Sequence, residues 1–200
     1  MPHSNILHLI YRNTLSISID MIALSNRRLM PAALVVTRAE WLISITDPET
    51  DVPTPDGFST RRHQVFRFHD ITKPVDTPGV VLPDRVVARD IVRVLSGIPS
   101  DEPVLIHCHA GISRSPAVAL AAAYMRSPDQ LQETAGALGD VAPWVAPNPT
   151  LVDALGEVLG TSIISEALKL MGLPRMRGCA AAVSIIPPTV HRITVSRDAT

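Results

Sequence analysis

The sequence predicts an α/β fold: a mostly parallel central sheet of about four to five strands flanked by helices, with a helical C-terminal part. Three observations predict it. Short apolar, β-branched runs stopped by turn residues alternate with segments of helical spacing through the middle of the chain, the order expected of a parallel sheet. Proline-opened helical segments then succeed one another through the C-terminal third. Finally, 46% of the 200 residues are hydrophobic and 18% charged, enough apolar side chain for a sizeable core.

The elements follow in order. Residues 15–24, LSISIDMIAL, alternate as a strand does. Pro31 opens a helix reaching Glu40, since proline suits a first helical turn. Trp41 to Thr46 is a short apolar run ended by Asp47-Pro48, a buried strand. Residues 47–60, rich in Pro, Asp and Gly, form a surface loop. Strand character returns from Val65 to Asp70, and a second loop, TKPVDTPG, follows. From Pro83 to Leu95 the apolar residues Val86, Val87, Ile91, Val92 and Leu95 recur with helical spacing. Val104 to Ile106 is a strand. Pro116 to Arg126, Pro128 to Leu138 and Pro149 to Leu159 are helices, the last capped by Asn148. Residues 1–17 form an arm or extra strand, 18–173 the folded domain, and 174–200 a basic, proline-broken terminal extension.

Bulk properties exclude several function classes. A formal net charge of −1 and 4% aromatic residues give no electrostatic footprint and no stacking platform for nucleic acid. No stretch reaches the roughly 18 apolar residues needed to span a bilayer. The first 24 residues have no basic leader before an apolar run and no clear small-residue cleavage site, so a cytoplasmic location is expected. Two cysteines, Cys108 and Cys179, make no disulfide framework. His107, Cys108 and His109 are adjacent, and neighbours on a strand point to opposite faces, so no metal site is expected there. Cys179 in the tail reads as a packing residue.

The chemistry is concentrated in Val104-Leu-Ile-His-Cys-His-Ala-Gly-Ile-Ser-Arg-Ser-Pro116. A cysteine ends a buried strand, five residues follow, then Arg114, then a helix. A tight turn at a helix N-terminus converges its backbone N–H groups into an anion nest. Here that nest is built by His109, Ala110, Gly111, Ile112 and Ser113. Gly111 allows the backbone angles such a turn needs. Arg114 offers a planar fork that matches two phosphate oxygens. The same field favours the thiolate of Cys108, a nucleophile aimed at the bound anion. His107 orients the loop, and Ser115 can donate a hydrogen bond to the sulfur.

This segment resembles the signature of the protein tyrosine phosphatase superfamily: Cys, any five residues, Arg, then Ser or Thr. It reads HCHAGISRS with every fixed position present, and VLIHC and SPAVALAAAYM look like its dual-specificity branch. Overall the chain is most similar to compact bacterial members, over roughly residues 18–160. The resemblance implies a phosphocysteine that water then hydrolyses, with no metal and no cofactor. It also implies a proton-donating aspartate on an upstream loop. Asp70, ending VFRFHD 38 residues before Cys108, fits that place, and FHDI resembles the matching stretch of the bacterial relatives. Asp76, on the same loop, is the alternative. Asp47 ends another strand on the same sheet edge and reads first as a helix cap, second as a residue that orients the site. His63 reads as structural, and Asn148 resembles a family position for which capping is sufficient.

The loop's variable residues, His109, Ala110, Ile112 and Ser113, include none of the lysines common in relatives that act on inositol lipids. The expected activity is phosphate-monoester hydrolysis on phosphotyrosine, with phosphoserine and phosphothreonine as further substrates. The alternatives are an inositol-phosphate or other small-phosphoester phosphatase, and a module that binds phosphoproteins without turnover. A rhodanese-type sulfur transferase also uses a loop cysteine, but Arg114 and the upstream aspartate favour phosphate.

Overall fold

The computed structural model describes residues 22–73, 75, 77–171, 182–186 and 191–194, the two last segments and Val141 by backbone alone. The expected α/β architecture is present. Strands β1 (Ile22–Asn26), β2 (Trp41–Thr46), β3 (His63–Arg67) and β4 (Val104–Cys108) pair in parallel in the order β3-β2-β4-β1. A hairpin of β5 (Ala182–Ile186) and β6 (His191–Thr194) adds antiparallel beside β1, so the sheet has six strands among the described residues. These strands come from the segment read as a terminal extension. Their alternation is short and lies among prolines, which hid it from a periodicity argument.

Among the described residues six α-helices cover the sheet: α1 (Met30–Thr37), α2 (Arg85–Ser96), α3 (Arg114–Arg126), α4 (Leu131–Val141), α5 (Pro149–Leu159) and α6 (Ile163–Met171). Side chains alternate across each strand, so each sheet face has its own core. Ile22, Leu24, Ile43, Ile45, Val104, Ile106 and Cys108 pack with α2 to α6. On the other face Ala23, Leu42 and Leu105 meet Met30 and Ala33 of α1 and Phe58 of the β2–β3 loop.

Local chemistry sets the boundaries. The Asp84 carboxylate caps α2 by accepting from the Val86 and Val87 N–H groups at 2.9 and 3.0 Å, a contribution of about 1 kcal/mol. The run from Arg114 to Ala123 in α3 is buried throughout, and its alanines let that helix lie close against the sheet. Gly139 of α4 serves the same end. A Cβ there would sit 2.8 Å from the Met171 carbonyl oxygen, so α4 and α6 could not approach as they do. Strand β3 begins at His63 and ends at Arg67, earlier than the sequence pattern indicates. Phe68 adds one ladder bond, its N–H to the Thr46 carbonyl at 2.9 Å, and residues 69–73 then leave the sheet as loop.

Four parallel strands send their C-terminal ends to one edge, the place where an open α/β sheet collects a site. Asn26, Thr46, Arg67 and Cys108 end there. The loops after β2, β3 and β4 therefore meet, and they carry Asp47, Asp70 and the 109–113 turn.

Candidate active site

Cys108 closes β4 at the bottom of the turn, and the residue is only 2% exposed. Its Sγ accepts two hydrogen bonds at 3.2 Å each, from the Gly111 N–H and from the Ser115 hydroxyl. Two donors from the turn and from the first turn of α3 thus fix the position of the sulfur.

The turn is braced from both sides. The Arg27 N–H donates to the His109 carbonyl at 3.2 Å, linking it to the end of β1. The Ala146 and Asn148 N–H groups donate to the Ile112 and Ser113 carbonyls at 2.8 and 3.1 Å. With those carbonyls engaged outward, the turn can point amides inward. Gly111 has φ of +71°, and a Cβ there would lie 3.0 Å from the backbone of Ser25 and Asn26. Both the left-handed angle and the close approach to β1 require glycine.

Arg114 opens α3 with its side chain only 4% exposed. One end of the fork is committed: Nη1 donates to Asp47 Oδ1 and to the Phe68 carbonyl, both at 2.7 Å. Nε makes no hydrogen bond and lies 3.8 Å from Asp70 Oδ2. The guanidinium is thus fixed on one side and keeps donor capacity on the other. Asp47 thus orients the guanidinium, the second of the two readings its sequence position allowed. Only the register of β2 against β4 brings it beside Arg114.

Asp70 lies across the opening of the turn. Its Oδ1 accepts from the Ser113 hydroxyl at 2.7 Å and from Asn148 Nδ2 at 2.8 Å. Asn148 Nδ2 also donates to the Ile71 carbonyl at 3.0 Å, while its Oδ1 caps α5 through the Leu151 N–H at 3.0 Å. The residue that starts α5 therefore also ties the Asp70 loop to the cysteine turn. Sequence reasoning assigned it only the cap, because capping alone explains an Asn before a helix. The loop closes on itself where His69 N–H meets the Val81 carbonyl at 2.9 Å and Val81 N–H meets His69 Nδ1 at 3.1 Å. Asp76 and Cys179 lie outside the described residues.

His107 points to the opposite face of β4 from Cys108. Burial pushes it down to about 4, the Cys108 backbone acts in the opposite sense, and His63 and Arg27 lower it further. His63 is also lowered by burial. Both rings are therefore neutral in the folded protein near pH 7. Because the folded value lies below the ordinary 6.5, the unfolded chain takes up this proton first on acidification. Stability is thus expected to fall from about pH 6.5 to about 4, by on the order of 3 kcal/mol from His107. Urea denaturation at intervals over that range would check this, and a His107→Gln chain should lose that share of the slope.

Among the described residues no group of three or more His, Cys, Asp or Glu side chains could hold a metal ion. None of the described helices is long and apolar enough to cross a membrane.

No family model matches the chain, and no curated protein matches it. Its backbone is similar to solved phosphatase-fold structures. One is a human tyrosine phosphatase-like serine/threonine/tyrosine-interacting protein, with a TM-score of 0.48, 19% identity, and 68% of this chain and 85% of that one covered. DUSP15 gives a TM-score of 0.46 and 20% identity over 75% and 89%. PTPMT1 in complex with PI(5)P gives 0.45 and 15% over 72% and 89%.

Proposed function

We propose that the protein hydrolyses phosphate monoesters through a phosphocysteine, with phosphotyrosine in proteins as its substrate. The observation that carries this is the Cys108 sulfur, which accepts hydrogen bonds from Gly111 and Ser115 at the base of a turn walled by the anchored Arg114. A thiol used only for packing has no need of that arrangement.

The steps follow from the groups present. The substrate phosphate lies in the 109–113 amides against the free side of Arg114. The Cys108 thiolate attacks phosphorus, so an S–P bond forms as the ester P–O bond breaks. Asp70 gives its proton to the departing oxygen. Water then attacks phosphorus and gives a proton to the Asp70 carboxylate. The P–S bond breaks with its electron pair returning to sulfur, where the Ser115 hydroxyl stabilises it, and inorganic phosphate leaves. The absence of lysine from the turn favours phosphoproteins over inositol lipids as substrates.

Purified protein is tested on phosphotyrosine and phosphoserine peptides, inositol phosphates and an aryl phosphate, with vanadate as inhibitor. Vanadate-sensitive release from the phosphotyrosine peptide is expected. A preference for inositol phosphates would overturn the substrate, and tight phosphopeptide binding without release would overturn the activity. Asp70→Asn should lower kcat about 10²-fold on phosphotyrosine and much less on an ester whose leaving group needs no proton. Equal losses on both would remove Asp70 from the acid role.

A further inference from the structure

A row of polar side chains crosses the buried sheet face beneath the cysteine turn. His107 on β4 pairs in register with Ser44 on β2, so both point to the same face. His107 Nε2 and Ser44 Oγ are 2.7 Å apart. The same Ser44 Oγ is 2.8 Å from His63 Nε2 on β3. His63 Nδ1 is in turn 2.9 Å from Thr54 Oγ1, on the β2–β3 loop. His107, Ser44 and His63 are all buried.

The hydroxyl of Ser44 has one proton for two ring nitrogens, so the row has a direction. Neutral rings carry one N–H each. His107 Nδ1 has no hydrogen-bond partner among the described residues, so the contact at Nε2 is what holds the ring. A proton on Nδ1 leaves His107 Nε2 as an acceptor. Ser44 then donates to His107, His63 Nε2–H donates to Ser44, and the Thr54 hydroxyl donates to His63 Nδ1.

We propose that Ser44 and His63 are positioning residues for the nucleophile, fixing the tautomer and tilt of His107 and so the carriage of Cys108 at the base of the turn. This rests on the phosphatase reading for its kinetic consequence, though not for its geometry. The partner of a ring nitrogen selects which nitrogen keeps the proton. Without the Ser44 hydroxyl, His107 loses the hydrogen bond that holds its ring and selects its tautomer. The row also ties the cysteine turn to the β2–β3 loop, which begins at Asp47, the residue holding Arg114.

The test uses the full chain as wild type, Ser44→Ala, Ser44→Thr, His63→Leu, His63→Gln and Thr54→Val. Alkylation of Cys108 by iodoacetamide at pH 6 is followed by peptide mass spectrometry, alongside kcat and KM on an aryl phosphate. Ser44→Ala and His63→Leu should each slow alkylation and kcat about tenfold with little change in KM. Ser44→Thr, which keeps the hydroxyl, and His63→Gln, which keeps a donor toward Ser44, should restore most of both rates. Thr54→Val, at the outer end, should give a smaller loss in the same direction, and it reports even where a buried variant fails to fold. Wild-type rates in Ser44→Ala, His63→Leu and Thr54→Val, or losses equally deep in the conservative pair, would overturn the proposal. Alkylation needs no phosphoester, so an inactive wild type would count against the phosphatase reading while this result still stood.

Discussion

Replacing Cys108 by serine is expected to remove turnover while keeping the fold and the anion site. Serine is smaller than cysteine and places an oxygen in a space formed by the Gly111 N–H and the Ser115 hydroxyl, both of which it can still engage. The buried surroundings on β4 and α3 need no rearrangement. The hydroxyl, however, is not ionised at neutral pH, and the Gly111 N–H and the Ser115 hydroxyl that meet it are donors, not bases. Loss of a covalent nucleophile costs about 10⁴-fold or more in rate. The amides of the turn and Arg114 are unchanged, so a phosphotyrosine peptide should still bind. Single-turnover phosphate release and calorimetric peptide binding measure the two halves. Full activity in Cys108→Ser would sink the mechanism, and loss of binding together with turnover would place the cysteine in the scaffold.

Arg114→Lys is expected to cost about 10³-fold in kcat/KM and to weaken vanadate inhibition. The guanidinium does two jobs at once. Nη1 holds Asp47 and the Phe68 carbonyl, and the Nε side remains for the substrate. An ammonium is a point charge, and one that stays with Asp47 cannot also present a planar pair of donors. Leaving the Phe68 carbonyl unpaired costs a further 1–3 kcal/mol or so of stability. Thermal denaturation measures that loss separately from the kinetics. Activity within a few-fold of wild type would show that charge alone suffices.

Both variants touch residues that the linear pattern identifies, because the anion turn is a local device. Cysteine, five residues, arginine and the helix behind them are contiguous, so their geometry depends mainly on the backbone between 107 and 116. The parallel sheet was legible for a related reason: apolar runs such as Trp41–Thr46 and Val104–Cys108 must be buried on both faces, and their spacing leaves room for crossovers. Strand ends were less legible. The pattern of Val65 to Asp70 reads as strand, yet β3 ends at Arg67, and the Phe68 carbonyl beyond it accepts from Arg114.

The sequence by itself determined the α/β class and the strand–turn–helix unit with Cys108 at its base, and its resemblance implied an aspartate on an upstream loop. Tertiary structure alone decided which distant residues serve that turn. Asp47 is 67 positions from Arg114, Asn148 is 78 from Asp70, and Ser44 is 63 from His107. Each has an adequate local reading, as turn residue, cap or core polar group. The difference is made by sheet register, which sets Ser44 against His107, and by the gathering of strand ends at one edge, which brings Asp47 and Asp70 to Arg114. Register is fixed by packing between segments far apart in the chain, and no spacing within one segment encodes it.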